Sequence, residues 1–532
     1  MTTETLLERD FGLIPELIGA HARTRPAHPA LVEGAGQLSF GELDLAMDQV
    51  AAALQRDGLL VGDVIAIGAA TSLSYALVFL GALRAGVAVA PLAPSSSADS
   101  LVAMLRDCGA KLLFADASFA ATLASASTLG TRAEALATLP AAVTPIALDG
   151  SAVGRTLESW LAPAGSQPQP VSIRPNGVFN IIYSSGTTGV PKGIVQPNLM
   201  RWAHVRRGAD IGYGPDAVTL VSTPLYSNTT LVSFFPGLAL GGTVVLLRKF
   251  DAETFLQTAV RHGVTHAMLV PVQYQRLLDF PAFDSFDLSR FRMKFCTSAP
   301  FGAALKAQIL ARWPGGLIEY YGMTEGGGTC VLAAHLHPNK LHTVGQPAPE
   351  HDIRLIDEAG RELPRGEVGE VVGRSALAMM LGYHEQPDKT RDAEWYDAAG
   401  RRFIRTGDVG RFDEDGFLTL LDRKKDMIIS GGFNLYPSDL EAELVLHPAV
   451  AEAAVFGVPS RQWGETPVAC VVRRTGHDDS AEQIRAWVNE RVGKTQRLSA
   501  LELVDSLPRS AIGKVLKREL RDRYAAAAGD TL

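Results

Sequence analysis

The segment Tyr183-Ser-Ser-Gly-Thr-Thr-Gly-Val-Pro-Lys-Gly193 directly follows the apolar run Val178-Phe-Asn-Ile-Ile-Tyr183. The run predicts a buried strand. Small hydroxyl residues that alternate with glycines let backbone amides wrap an oxyanion, while the hydroxyl groups donate further hydrogen bonds and Lys192 adds a positive charge. The segment is not a Walker loop, because Pro191 stands where that pattern has its second glycine and neither Ser nor Thr follows the lysine. It therefore predicts a phosphate-binding loop, in preference to a flexible surface turn.

The chain around this loop predicts an α/β fold. Short β-rich runs alternate with helical periodicity in the first half, which is typical of sheets flanked by helices. From about residue 366 to 421 the pattern changes to short strands with glycine turns, and the charged residues 422–426 then interrupt the chain. About a hundred residues follow, enough for a small α/β domain. We expect a large multi-layer N-terminal domain with a β-rich subdomain (1–424) and a small α/β C-terminal domain (425–532).

The composition excludes several classes of protein. A chain of 532 residues with 47% hydrophobic and 20% charged residues is typical of a folded protein with more than one domain. A net charge of -7 and a pI near 6.0 argue against nucleic acid as the main partner. The N-terminus lacks signal-peptide order, and Arg84 interrupts the most apolar stretch, so we expect a cytoplasmic protein without stable membrane insertion. The spacing of the cysteines predicts buried or semi-buried thiols at Cys108, Cys296, Cys330 and Cys470.

Two weaker segments add chemistry. In Tyr320-Tyr-Gly-Met-Thr-Glu-Gly-Gly-Gly328, an aromatic ring beside glycine can cover a flat base, and Thr324 and Glu325 offer the hard oxygens that Mg²⁺ prefers. In Phe403-Ile-Arg-Thr-Gly-Asp408, the carboxylate of Asp408 is suited to hold two vicinal ribose hydroxyls. Taken alone, the first segment could equally be a strand end and Asp408 a turn residue.

Together, five segments resemble the adenylate-forming superfamily in their order and spacing. They are residues 183–193, 321–325, 405–408, 423–437 and 508–517. That superfamily comprises acyl- and aryl-CoA synthetases, peptide-synthetase adenylation domains and firefly-type luciferases, and the resemblance covers residues 10 to 525. It implies an enzyme that uses ATP, Mg²⁺ and coenzyme A (CoA) to convert a carboxylic acid first into an acyl-adenylate and then into a thioester.

The resemblance also implies residue roles. Lys514, Thr324 and Glu325 are the expected catalytic residues: Lys514 would bridge the carboxylate and the α-phosphate, and Glu325 with Thr187 would bind Mg²⁺. The expected ATP-binding residues are Ser184, Ser185, Gly186, Thr187, Thr188, Gly189, Lys192, Ser298, Ala299, Pro300, Tyr321, Gly322, Asp408 and Arg423.

In this family the small C-terminal domain is mobile and rotates between the two steps. Lys425 matches the hinge position, and Gly431 and Gly432 would line the tunnel for the pantetheine arm of CoA. Trp463 resembles a residue that contacts the CoA nucleotide in some relatives, and a core tryptophan is the alternative.

The acid is expected to bind in a pocket formed by Tyr226, Ser227, Asn228, Thr229, Gly326 and Gly327. Many relatives carry histidine where this chain has Ser227. The glycines after Glu325 are expected to leave space, which favours a medium-chain or aromatic acid over acetate. For Arg201, Arg206 and Arg207 a solvated helix face is preferred over a role in binding an anionic substrate end or the phosphates of CoA.

The predicted function is a carboxylic acid–CoA ligase. The alternatives are an adenylating enzyme that loads another acceptor, such as a carrier protein, and a catalytically silent acyl- or ATP-binding protein. The small-molecule partners are the acid, ATP and CoA. The oligomeric state is left open, with a homodimer as one alternative.

Overall fold

The computed structural model describes residues 2–125, 145–184, 192–423, 426–430, 433–460, 463–493, 496–510 and 513–528. The chain forms two compact units. The larger contains Met1–Leu341, Pro347–Asp352 and Gly373–Ile404, and the smaller contains His342–Gln346, Ile353–Val372 and Arg405–Leu532.

One sheet of the larger unit has a parallel centre. Its strands lie in the spatial order Cys330–Ala333, Gly316–Tyr321, Met293–Cys296, His266–Leu269, Val218–Val221, Thr243–Leu246, Pro29–Glu33 and Gly36–Ser39. Neighbours from Gly316–Tyr321 to Pro29–Glu33 are parallel, and the two outer strands of this order pair antiparallel. The carboxyl ends of the central strands therefore meet at one edge of the sheet.

A second sheet of the larger unit carries the predicted phosphate-loop strand. Its order is Gly382–Tyr383, Lys192–Pro197, Val178–Ser184, Ala88–Pro91, Val64–Gly68, Leu112–Ala115, Ile146–Ala147 and Arg155–Thr156. Val178–Ser184 and Lys192–Pro197 pair antiparallel, with Ser184 opposite Lys192. The predicted loop thus connects two adjacent strand ends.

Helices cover these sheets, and local sequence sets their ends. Ser39 and Glu42 form a capping box that begins the helix Phe40–Arg56, and Gly263, in the left-handed region at φ 59°, ends Ala252–His262. The described helices of this unit are Thr3–Leu7, Ile14–Thr24, Phe40–Arg56, Leu73–Arg84, Ala98–Asp107, Ala117–Ala124, Leu157–Trp160, Asn198–Asp210, Asn228–Ala239, Ala252–His262, Pro271–Leu278, Ala303–Arg312 and Pro387–Asp392.

The smaller unit has its own sheet and core. Its strands are Phe433–Leu435, Ile428–Ser430, Gly464–Arg473 and Val450–Ser460 in spatial order, and Ala500–Val504 pairs parallel with Gly464–Arg473. The helices Pro437–Val445, Ala481–Asn489 and Lys517–Ala528 pack with it. Leu440, Val455 and Ile484 belong to its buried apolar cluster.

A further sheet contains the strands of the predicted β-rich region. It is formed by His351–Ile356, Gly369–Ser375, Glu394–Tyr396, Arg402–Phe412 and Leu418–Arg423, whereas Gln346–Pro347 lies at the edge of the first sheet beside Cys330–Ala333. Arg402–Phe412 pairs antiparallel with Leu418–Arg423. In addition, the backbone N–H of Ser438 donates to Asp422 Oδ2 at 2.9 Å. These bonds explain why residues 405–423 group with the C-terminal residues, whereas we expected the division after residue 424. The hinge at that position stays a prediction.

The predicted fold class is confirmed: the chain is mixed α/β, with a large N-terminal and a small C-terminal domain. The four cysteines are free and buried, as predicted. Among the described residues no helix is long and apolar enough to span a bilayer.

Candidate functional site

The predicted acid and nucleotide residues follow the carboxyl ends of neighbouring parallel strands. Tyr226–Thr229 come after Val218–Val221, Ser298–Pro300 after Met293–Cys296, and Gly322–Glu325 after Gly316–Tyr321. Because these strands belong to one parallel array, the segments lie along the same edge. Ligands of open α/β sheets bind at such an edge.

Two of these segments contact each other directly. The hydroxyl group of Thr229, in the first turn of Asn228–Ala239, hydrogen-bonds that of Ser298. Ser298 has a φ of 82°, which is rare for a residue other than glycine and is held only where the surroundings require it. A residue predicted to line the acid pocket therefore contacts one predicted to border adenine.

Glu325 is held by a residue that the sequence reasoning missed. Tyr383 Oη donates to Glu325 Oε1 at 2.9 Å, and the Met380 N–H donates to the Glu325 carbonyl oxygen at 2.8 Å. The Lys192 Nζ lies 4.9 Å from the centroid of the Tyr383 ring. Burial, with a further contribution from the Glu325 carboxylate, raises the pKa of Tyr383, which keeps its hydroxyl protonated as a donor. No local pattern marked this tyrosine, because it reaches Glu325 only through the pairing of Gly382–Tyr383 with Lys192–Pro197.

Glu325 fits the expected Mg²⁺ ligand. In the described parts of the chain, no group of three or more His, Cys, Asp or Glu side chains could hold a metal ion. Mg²⁺ is commonly bound through one or two carboxylates together with substrate phosphates, and it keeps several waters. A single carboxylate oriented by Tyr383 suits that kind of binding better than an all-protein cage.

Replacing Tyr383 by phenylalanine is expected to raise the Mg²⁺ concentration needed for half-maximal rate of the first half-reaction by about 10–100-fold. Residues that orient a metal ligand typically contribute a factor of that size to metal affinity. The measurement is pyrophosphate release against Mg²⁺ concentration. Tyr396→Phe is the matched control, since Tyr396 Oη donates to the carboxylate of Glu394 at 2.9 Å but lies exposed. Equal Mg²⁺ curves for the two variants would contradict the role of Tyr383.

Gly326 and Gly327 do not leave the space that we expected. Both have positive φ angles, 73° and 89°. A Cβ atom at Gly326 would lie 2.2 Å from the Ala378 carbonyl oxygen, and one at Gly327 would lie 2.8 Å from that of Gly373. The Cβ side of both glycines is occupied by main chain, so the interpretation that they make room for a long acid is wrong. They are required by the close approach of residues 373–379.

Gly326→Ala is therefore expected to destabilise the larger unit and to lower adenylation. Gly58→Ala is the matched control, because Gly58 also has a positive φ, 82°, but a Cβ atom there would meet nothing within 4 Å. The control should lose about 1–2 kcal/mol through backbone conformation alone, and Gly326→Ala should lose clearly more because of the clash. Thermal unfolding of both variants checks this, and equal losses would contradict it.

The arginines of Asn198–Asp210 do not form the solvated face that we preferred. Arg206 is exposed, but Arg201 is only 1% exposed, and Arg207 donates from Nη1 to the imidazole Nε2 of His351 at 2.9 Å. Arg201 binds the side chain of Asn228. The sequence could have indicated that Arg201 is buried, because it lies three residues after the start of the helix and between the apolar residues Met200 and Trp202.

In the smaller unit, the two residues predicted to bind the ribose contact each other. Asp408 and Arg423 stand opposite each other on adjacent strands, with Arg423 Nε 3.1 Å from Asp408 Oδ1. Arg405 is engaged by the carboxylate of Glu370. Trp463 is 37% exposed, so the core alternative for it is wrong.

Lys514 is held through its main chain in the same unit. The Ser510 N–H donates to the Lys514 carbonyl oxygen at 2.8 Å, and Arg509 and Val515 form a β-bridge. Arg509 Nη2 lies 2.6 Å from Glu452 Oε2, which connects Arg509 to the strand Val450–Ser460.

Several predicted residues lie outside the described part of the chain. They are Ser185, Gly186, Thr187, Thr188, Gly189, Lys425, Gly431 and Gly432. Their roles stay predictions, as do the ligand contacts of the described site residues.

Comparison with known proteins identifies the family. The model of the AMP-binding enzyme family matches residues 18–384, and that of the AMP-binding enzyme C-terminal domain matches residues 439–514. The chain is 32% identical to 4-coumarate–CoA ligase-like 9 of Oryza sativa subsp. japonica, over 96% of this chain and 92% of the relative. It is also 32% identical to the fatty acid–[acyl-carrier-protein] ligase ScoC of Streptomyces coeruleorubidus, over 95% of each chain.

Among solved structures, ATP-bound MatB from Rhodopseudomonas palustris is similar with a TM-score of 0.83 and 30% identity, over 96% of this chain and 99% of MatB. The family match covers more than half of the chain and both of its domains. This chain belongs to the AMP-binding enzyme family, the adenylate-forming superfamily that includes the acid–CoA ligases.

Proposed function

We propose that this enzyme is an ATP-dependent carboxylic acid–CoA ligase. A carboxylate oxygen of the acid attacks the α-phosphorus of ATP, which releases pyrophosphate and leaves an acyl-adenylate. The sulfur of CoA then attacks the acyl carbon, AMP leaves, and the thiol proton passes to solvent. The observation that carries the proposal is the contact between Thr229 and Ser298, because activation needs the acid and the nucleotide side by side.

The proposed roles follow from charge. The first step brings two anions together, so cations and donors must stand where negative charge develops. Lys192 and Lys514 would supply positive charge, and Thr324 would donate to the α-phosphate. Mg²⁺ held by Glu325 would neutralise phosphate charge. Asp408, oriented by Arg423, would accept from the ribose hydroxyls.

For the substrate we propose an aromatic or medium-chain acid. Relatives named for 4-coumarate and for fatty acids are equally similar to this chain, at 32% identity each, which supports this pair of classes. The half-buried Asn228 offers a polar group near the pocket.

For the acceptor we propose CoA, with a carrier protein as the second candidate. The similarity to ScoC, which is named as a fatty acid–carrier protein ligase, favours that second candidate over the others. We place the enzyme in the cytoplasm, where ATP and CoA are available.

The test is pyrophosphate release with ATP and Mg²⁺ across octanoate, decanoate, benzoate, cinnamate and 4-coumarate, each with CoA, with a phosphopantetheinylated carrier protein, or with neither. Release stimulated by one acid, together with AMP and an acyl-CoA, is the expected result. If pyrophosphate is released but a thioester forms only on the carrier protein, the carrier protein and not CoA is the acceptor. The absence of acid-dependent release from all five acids would overturn the proposed function together with its substrate classes.

A further inference from the structure

A buried cation lies behind the acid side of the site. Arg201 is 1% exposed, and its guanidinium group donates to side-chain amide oxygens of Gln196, Asn228 and Asn180. These acceptors are neutral, and within the described ranges no carboxylate pairs with Arg201. Burial alone lowers the pKa of Arg201 to about 9. A charge kept in such a place, where desolvation opposes it, indicates a use beyond packing.

The cation fixes the orientation of Asn228. A guanidinium group only donates hydrogen bonds, so the atom 2.8 Å from Arg201 Nη2 must be the amide oxygen of Asn228. Its amide nitrogen then points away from Arg201. Asn228 is half-buried, and none of the described residues accepts a hydrogen bond from this nitrogen. An N–H donor is therefore left available beside Thr229, at the edge where the acid is proposed to bind.

The same cation also reaches the nucleotide side. Gln196 is fully buried, accepts from Arg201 through Oε1, and donates from Nε2 to the Thr324 carbonyl oxygen at 2.6 Å. Gln196 Nε2 also lies 3.4 Å from Asn228 Oδ1. One guanidinium group thus links the segments that carry Asn228 and Thr324, which belong to the proposed acid and phosphate sites.

We propose that Arg201 is a positioning residue for acid activation, which holds Asn228 so that its amide N–H donates to a carboxylate oxygen of the bound acid. Through Gln196, Arg201 also fixes the position of this donor relative to Thr324. The inference rests on the proposed function and deepens it by assigning a substrate-binding residue and the group that orients it.

Asn228→Asp separates binding from folding. The new carboxylate gives Arg201 an anionic partner, so the melting temperature should stay the same or rise. Its second oxygen, however, stands where the amide nitrogen was and repels the carboxylate of the acid. The KM for the acid should rise by about 10–100-fold, while the KM for ATP changes by less than about threefold. The probe is whichever of octanoate, benzoate and 4-coumarate the wild type activates.

Asn180→Asp is the matched control. Asn180 Oδ1 lies 3.3 Å from the same guanidinium group, but on the strand Val178–Ser184 rather than on the acid side. The substitution neutralises Arg201 and leaves Asn228 in place. If Arg201 acts by orienting Asn228, the KM for the acid should change by less than about twofold. If Asn180→Asp raised the KM for the acid as much as Asn228→Asp does, the positive charge of Arg201 would matter for acid binding, and its positioning of Asn228 would not.

Arg201→Lys keeps the charge but loses the planar fork that binds several amides at once. It should raise the KM for the acid by about tenfold at nearly unchanged ATP affinity. A wild type that activates an acid, together with an unchanged KM in Asn228→Asp, would overturn this inference alone. A wild type that releases no pyrophosphate with any acid would instead overturn the proposed function.

Discussion

Replacing Lys514 by alanine is expected to lower acyl-adenylate formation by about 10²–10³-fold, because one positioned donor at developing charge typically contributes about 3–4 kcal/mol. The hydrogen bond from the Ser510 N–H to the Lys514 carbonyl oxygen fixes the main chain of this lysine in the smaller unit. Thioester formation from a supplied acyl-adenylate should be spared, because that step no longer joins the carboxylate to the α-phosphate.

Measuring the two half-reactions separately tests this prediction. Lys517→Ala is the matched control, because Lys517 follows in the same segment but its Nζ lies 2.8 Å from Glu441 Oε1. Because Lys517 is engaged in this ion pair, replacing it should lower stability more than it lowers adenylation. Equal losses of both half-reactions in Lys514→Ala would contradict an adenylation-specific role.

The sequence predicts correctly those parts of the fold that depend on residues close together in the chain. The strand before the glycine-rich loop, Val178–Ser184, and the small C-terminal α/β region could be predicted because apolar runs and turn residues act over a few positions. The grouping of residues 405–423 with the C-terminal residues could not, because it depends on bonds such as that from Ser438 to Asp422.

The same limit applies to the site. Glu325 could be predicted as a candidate from its own segment, whereas its partner Tyr383 lies 58 residues further along the chain. The sequence favours solvent exposure for Arg201 because charged residues are rarely buried, and only the arrangement of Gln196 and Asn228 around it explains the exception. Gly326 illustrates a third limit: a glycine in the sequence suggests open space, but the main chain of Ala378 occupies that space.

A second large effect is expected from Lys306→Met. Lys306, on Ala303–Arg312, and Glu319, on the strand that leads to Tyr321, form an ion pair whose side chains are 1% and 6% exposed. Removing one partner of such a pair typically costs about 3–5 kcal/mol, because the remaining acid must then stay buried without a counter-charge or take up a proton. Lys111→Met is the matched control, because its pair with Asp63 is 49% exposed at the lysine and should contribute no more than about 1 kcal/mol.

The loss in Lys306→Met should depend on pH. Burial raises the pKa of Glu319 to about 7 even though Lys306 lowers it, so removing Lys306 raises this pKa further. Glu319 then stays protonated in the folded state but ionises in the unfolded chain above its ordinary value near 4.5. Stability is therefore lost as pH rises above that value.

Each pH unit costs about 1.4 kcal/mol while the folded state keeps the extra proton. Wild type, in which the pKa of Glu319 is about 7, itself loses about half of this stability between pH 6 and pH 8. The variant should thus be about 1–2 kcal/mol less stable, relative to wild type, near pH 8 than near pH 6. Urea unfolding at the two pH values measures this difference. Adding Glu319→Leu should restore much of the stability and remove the pH dependence, because it removes the buried acid. A loss of equal size at both pH values would mean that solvent reaches Glu319 once Lys306 is gone.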